Sequence, residues 1–256
     1  MSIRLLVVDA LNLIRRVYAA TPERDDANPS QAALEATVQS LRRAIRETGP
    51  THGISVFDGQ EPTWRHRLYA DYKAGRKPMP PALNRDLERY REAFLKVGLR
   101  SIDKPDLEAD DVIATLATKV AARGGSAVIL STDTVFCQLL SDKIDVRDHF
   151  NKRYLDRAYV RQKWAVEPER LVDLWALAGS QTTHIPGVPM VGPKTAARLL
   201  EGNGTLEAVL KAAEGLGGKL GESLRLNADG ARMSRELACL RRDLSLGWNL
   251  KSFRLP

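Results

Sequence analysis

The chain has 256 residues, 43% hydrophobic and 28% charged, close to globular averages, which excludes a disordered, collagen-like or coiled-coil protein and leaves one large domain or two smaller ones. Thirty-nine Lys and Arg against 32 Asp and Glu give a net charge of +7, which favours a polyanionic partner. No apolar run approaches the roughly 18 residues of a membrane span, and the opening run meets Asp9 too soon for a signal peptide, so no membrane association and a cytoplasmic location are expected.

Ile3 to Val8 is a continuous apolar run rich in branched residues, the pattern of a strand buried on both faces. Leu34, Val38, Leu41 and Ile45 step at helical spacing after Ser30, and Gly49-Pro50 stops that helix. Ile54 to Phe57 reads as the next strand. Leu83, Leu87, Tyr90 and Phe94 mark a second amphipathic helix, and Val112, Leu116 and Val120 a third, before another buried strand at Ala127 to Leu130. Strands alternating with helices predict an α/β fold with a mostly parallel sheet covered by helices. After Pro168 the pattern is helical throughout. Leu171, Leu174, Trp175 and Ala178 share a face ended by Gly179, and Pro193 and Gly202 bracket the next helix. Cys137 and Cys239 lie far apart with no companions, so neither a zinc site nor a disulfide framework is expected.

In a parallel sheet, ligands sit beyond the carboxyl ends of the strands. Asp9, Asp58 and Asp133 each follow a predicted strand, and Glu108, Asp110 and Asp111 precede the helix through Val112, so all six can converge on one edge. A single acid there is usually a turn or cap residue. Six together would repel unless a cation neutralised them. Oxygen ligands without a His or Cys cluster select a hard ion, Mg²⁺ or Mn²⁺, whose usual work is on phosphates.

Between Trp64 and Pro78, Arg65, Arg67, Lys73, Arg76 and Lys77 face only Asp71. This basic segment, with Trp64, Tyr69 and Tyr72, offers cations for phosphates and rings for unpaired bases. The glycine-bearing stretch from Ile185 to Thr195 joins two helices, leaving backbone N–H groups at a helix start beside Lys194, an arrangement suited to phosphate without base readout.

The ordered motifs Val8-Asp9-Ala10-Leu11-Asn12, Val56-Phe57-Asp58-Gly59, Tyr72-Lys73-Ala74-Gly75-Arg76, Glu108-Ala109-Asp110-Asp111, Ser131-Thr132-Asp133 and Ile185-Pro186-Gly187 through Lys194-Thr195-Ala196 resemble those of the flap-endonuclease superfamily of 5′-nucleases, and most of all its bacterial stand-alone exonuclease IX-like members. The resemblance implies a PIN-like nuclease domain at 1–162 with an arch at about 61–100. It also implies a helical C-terminal region at 163–256 with a helix–three-turn–helix element. The implied activity is metal-dependent cleavage of branched DNA carrying a 5′ single strand, by a monomer. Carried over by position, Asp110, Asp9, Asp58, Glu108, Asp111 and Asp133 would serve the metal, and Lys73 and Arg76 the scissile phosphate. Main-chain carbonyls of Leu177, Ala178, Pro186, Val188 and Val191 would hold K⁺, and Met190, Val191, Gly192, Pro193, Lys194 and Thr195 would touch the DNA backbone. The sequence departs from the two-metal pattern at Val135, Ser180 and Thr183, where acids are expected. The rival reading is a junction-binding protein of nuclease descent with weak or no cleavage. A PIN-type ribonuclease fits the acids but not the hairpin.

Overall fold

The computed structural model describes residues 2–21 and 29–256. A six-stranded sheet forms its centre: β1 (Arg4–Asp9), β2 (His52–Val56), β3 (Arg100–Ile102), β4 (Ser126–Leu130), β5 (Ile144–Asp148) and β6 (Arg153–Tyr154), ordered β3-β2-β1-β4-β5-β6. All pairs are parallel except β5 with β6. The chain moves outward from β1 through β2 to β3, then returns to the other side of β1 with β4. That reversal opens a crevice beyond the carboxyl ends of β1 and β4, where an open α/β sheet binds its ligand.

The three sequence-predicted strands are β1, β2 and β4, each buried along nearly its whole length. Of the others, β3 has three residues with only Ile102 buried, and β5 alternates Ile144 and Val146 with Asp145 and Arg147. Neither presents the continuous apolar run of a central parallel strand.

Alternation along β1 divides the core. Leu5 and Val7 join one apolar cluster and Leu6 and Val8 another, as the two-residue period of a strand requires. The Leu6 face packs against α1 (Ala10–Ala20), α2 (Pro29–Thr48) and, after the short α3 (Trp64–Leu68) and α4 (Pro81–Arg85), α5 (Leu87–Lys96). The helix expected from Leu83 to Phe94 is thus two helices, broken at Asp86, whose ψ of 0° leaves helical geometry. The Leu5 face packs against α6 (Ala109–Ala122).

The chain continues as α7 (Arg157–Trp164), α8 (Leu171–Ala178), α9 (Pro193–Asn203), α10 (Leu206–Ala212), α11 (Gly218–Leu226) and α12 (Ala228–Ala238). Leu171, Leu174, Leu200 and Leu206 of these helices join the Leu5 cluster, so the helical region and one sheet face share a single core. Gly202 lies inside α9. The helix ends at Gly204, whose φ of +87° is one that glycine adopts without a Cβ clash. Residues 239–249 form no helix, correcting the expectation of a helical pattern throughout after Pro168. This segment lies along α6, where Thr115 Oγ1 donates to the Arg241 carbonyl and Lys119 to that of Leu244.

Candidate active site

Asp9 ends β1 and caps α1: its Oδ1 accepts from Asn12 N at 3.2 Å, while its Oδ2 accepts from Ser131 Oγ at 2.8 Å. Asn12 in turn accepts from the Thr132 backbone and hydroxyl at 3.0 Å, tying the ends of β1 and β4 across the crevice. Asp133 begins the next turn, with Oδ1 accepting from Val135 N at 2.9 Å. Asp58 follows β2 and accepts from Ala109 N at 2.8 Å, which fixes the start of α6 and therefore Asp110. Among the described residues, no donor reaches the Asp110 carboxylate.

Asp9, Asp58, Asp110 and Asp133 line one cleft of about 620 Å³, faced by Lys73 and Arg76. Burial raises the Asp9 pKa to about 7, and the charges of Asp58 and Asp133 push the same way. Asp110 is also held well above the carboxylate range, first by burial and then by Asp133, Asp9 and Asp58, against the opposing pull of Lys73. Such a cluster is relieved by a divalent cation. Among the described residues, no three His, Cys, Asp or Glu side chains stand close enough to chelate an ion alone. The donor set therefore fits an ion that keeps several waters and takes few carboxylates, which is the habit of Mg²⁺.

The expected convergence of six acids is corrected to four. Asp111 is fully buried and turned the other way. Its Oδ2 accepts from Trp64 Nε1 at 2.8 Å and Arg65 Nη1 at 2.9 Å, and its Oδ1 from Arg65 Nη2 at 2.8 Å and Arg241 N at 3.0 Å. Glu108 is committed to Arg65, to Lys73 at 2.8 Å and to the Tyr72 hydroxyl at 3.3 Å. Neither faces the cleft. Arg65 also donates to the carbonyls of Leu237 and Cys239, which uses all five of its N–H groups. Burial opposes its charge, but the two carboxylates outweigh that and raise its pKa.

The basic segment is corrected likewise. Arg65 is a buried structural cation, and Trp64 and Tyr72 are 8% and 4% exposed, so neither ring is open to a base. Trp64 lies between the guanidinium groups of Arg65 and Arg241, whose carbons are 4.4 and 4.1 Å from its ring centroid. Lys73 adopts a left-handed φ of +54°, its N–H donating to the Thr183 carbonyl at 2.9 Å. Partly buried near Asp110 and Glu108, it stays protonated because their charge outweighs desolvation. Arg67, Arg76 and Lys77 are exposed.

Val135, Ser180 and Thr183, the positions lacking expected acids, line the same cleft. So do Arg15 and Arg16 of α1, which sequence reasoning overlooked. Their signal was spacing, since they follow Asp9 on the helix it caps.

The hairpin from Gly179 to Gly192 separates α8 from α9. Gly179 and Gly187 approach so closely that a Cβ on Gly187 would sit 2.5 Å from the Ala178 carbonyl carbon. Of the carbonyls expected to hold K⁺, that of Leu177 accepts from Val188 N at 2.7 Å, that of Val188 from Val191 N at 3.0 Å and that of Pro186 from Ser234 Oγ. Each keeps a second lone pair. Met190, at φ +70°, is 66% exposed at the tip, while Val191 is buried. Gly192, Pro193 and Lys194 are exposed, Thr195 partly so, and the first-turn N–H groups of α9 have no intrahelical acceptor.

Residues 4–165 match the model of the 5′-3′ exonuclease N-terminal, resolvase-like domain, and residues 166–256 that of the 5′-3′ exonuclease C-terminal SAM fold. The chain is 43% identical over 258 residues to the flap endonuclease Xni of Pectobacterium carotovorum subsp. carotovorum (strain PC1), covering 100% of this chain and 96% of that protein. It is also 43% identical to the flap endonuclease Xni of Aeromonas hydrophila, with 98% and 96% covered. Its fold is similar to that of bacteriophage T5 5′-exonuclease with bound zinc, at a TM-score of 0.77 and 20% identity over 92% of this chain and 89% of that one. The catalytic core of Rad2 with DNA superposes at 0.59, with 15% identity over 100% and 83%. The chain belongs to the 5′-3′ exonuclease family, among the flap endonucleases of the Xni type.

Proposed function

We propose that this flap endonuclease hydrolyses phosphodiester bonds in branched DNA bearing a 5′ single strand, with Mg²⁺ or Mn²⁺ held through Asp110, Asp9, Asp58 and Asp133. The observation that carries this is the meeting of four aspartates with Lys73 and Arg76 in one cleft at the β1/β4 crevice. A bound divalent cation would polarise the phosphoryl oxygen and acidify a water. Lys73 is protonated and anchored by Glu108, so it meets negative charge gathering on the phosphate. Arg76 is exposed at the cleft and neutralises the neighbouring phosphate.

The hairpin supports sequence-independent grip. The exposed first turn of α9, with Lys194, meets phosphates through backbone N–H groups and charge, reading no base edges. The carbonyls of Leu177, Ala178, Pro186, Val188 and Val191 would hold K⁺ beneath it, adding positive potential towards the DNA. The chain would act as a cytoplasmic monomer. Support for the metal and the DNA comes also from relatives: T5 flap endonuclease is known with DNA and metal ions.

The test is a labelled 5′-flap duplex incubated with the full chain and Mg²⁺, Mn²⁺ or chelator. Cleavage near the branch with either cation and none in chelator is expected. Binding without cleavage in both cations would favour the junction-binding reading.

A further inference from the structure

Phe150 is 46% exposed, yet the turn that carries it is fixed. The buried Asp148 carboxylate accepts from Phe150 N at 3.0 Å, Asn151 N at 2.9 Å and Asn151 Nδ2 at 2.7 Å. This turn lies beyond the carboxyl end of β5, on the same sheet edge as the aspartate cleft. Arg16 joins the two. Its guanidinium carbon is 5.7 Å from the Phe150 ring centroid, its Nε donates to Thr132 Oγ1 at 3.1 Å, and it lines the cleft with Asp9 and Asp133. Lys152, on the same turn, and Arg153, which begins β6 and lies 3.7 Å from Asp148, are exposed.

A phenyl ring held half open to solvent on a rigid turn, among cations, matches neither a core position nor an apolar docking face. Its cationic neighbours would repel a basic protein surface. They suit a polyanion that brings its own flat rings. Inside duplex DNA those rings are stacked on one another and closed to Phe150, whereas an unpaired base has a free face to lay on it.

We infer that Phe150, backed by Arg16, is a stacking platform for an unpaired base of the DNA strand passing the cleft, making it a determinant of single-strand selectivity. This rests on the flap-endonuclease reading above. Arg16 contributes charge next to the ring, and the platform tolerates any sequence because every base has a π face.

The experiment uses a 5′-flap oligonucleotide with 2-aminopurine placed in turn along the unpaired strand, titrated into the full chain in chelator so that nothing is cut. Phe150→Ala, Phe150→Leu and Phe150→Tyr are compared with the parent, their folding checked by thermal unfolding. Parent and Phe150→Tyr should quench the fluorescence at one or more positions. Phe150→Ala and Phe150→Leu should lose that quenching and bind the flap about tenfold more weakly, while affinity for blunt duplex stays unchanged. Parental quenching with Phe150→Leu, or equal weakening on flap and blunt duplex, would overturn the platform; a Phe150 needed instead to capture a protein, with flap binding unaltered, would do the same. If the parent cuts no flaps with any divalent cation but quenching still depends on Phe150, the catalytic reading fails and the platform stands.

Discussion

The Arg65 guanidinium closes on both oxygens of Asp111, at 2.8 and 2.9 Å, with side chains 2% and 0% exposed. The pair joins the basic segment of α3, the start of α6 and the chain after α12 in one buried polar centre. Breaking a buried pair from one side leaves an uncompensated charge, which costs about 3–5 kcal/mol. Asp111→Asn should therefore lower stability by that order, in chelator and in Mg²⁺ alike, as read by urea denaturation. Unchanged stability with lost cleavage would return Asp111 to the metal site.

The acidic cleft makes stability depend on pH and cation together. Asp9 is raised from the ordinary value of 3.8 to about 7, so the native state holds a proton that the unfolded chain releases. Its contribution is full below about pH 4 and is lost as pH rises through about 7. His149 acts oppositely: burial pushes it down to about 4, and its contribution is lost as pH falls from the ordinary 6.5 towards 4. The two partly cancel in chelator. A divalent cation relieves only the aspartates, so the gain in Tm on adding Mg²⁺ should grow from pH 5 to pH 8, and Asp9→Asn should flatten that growth. A gain independent of pH would contradict the assignment.

Lys73 faces the cleft from a left-handed backbone position fixed by Thr183 and Glu108. Because charge accumulates on phosphate in the transition state, Lys73→Ala should lower kcat by about 100-fold while changing flap affinity far less. Steady-state kinetics beside equilibrium binding separates the two. An effect confined to affinity would make Lys73 a general phosphate contact.

Lys194 stands at the start of α9, where exposed N–H groups and positive helix potential coincide. Lys194→Ala should weaken duplex arms of unrelated sequence equally and reduce the slope of log affinity against log salt by about 1. Fluorescence anisotropy across a salt series measures both. A loss that depends on base sequence would point to direct readout.

Much of the sheet was legible in the sequence because β1, β2 and β4 are central, parallel and buried on both faces, so their apolar runs are uninterrupted. The outer strands β3 and β6, and β5 with its alternating pattern, carry no such signal, since pairing and not an apolar run defines them. At the site, Asp9, Asp58 and Asp133 were readable as acids ending strands, and Asp110 as an acid starting a helix. Asp110 and Asp111 are adjacent, and a helix turns consecutive side chains about 100° apart, so the two could not both face the cleft. Which one did depended on Arg65, 46 residues away, a pairing no local pattern contains. The same long-range contact withdrew Trp64 from solvent, while Phe150 lay in a turn with no motif to mark it.

Asp110→Asn is the decisive variant, because Asp110 lines the cleft with no donor among the described residues and feels the charges of Lys73 and of Asp133, Asp9 and Asp58. The measurement is cleavage of a 5′-flap duplex in Mg²⁺ by the folded variant, alongside its affinity for the same DNA in chelator. Cleavage should fall by at least about 100-fold, as for loss of a group acting only on the transition state, while affinity stays equal or rises because a negative charge beside phosphate has gone. A folded Asp110→Asn protein that cuts flaps at the parental rate would contradict the account.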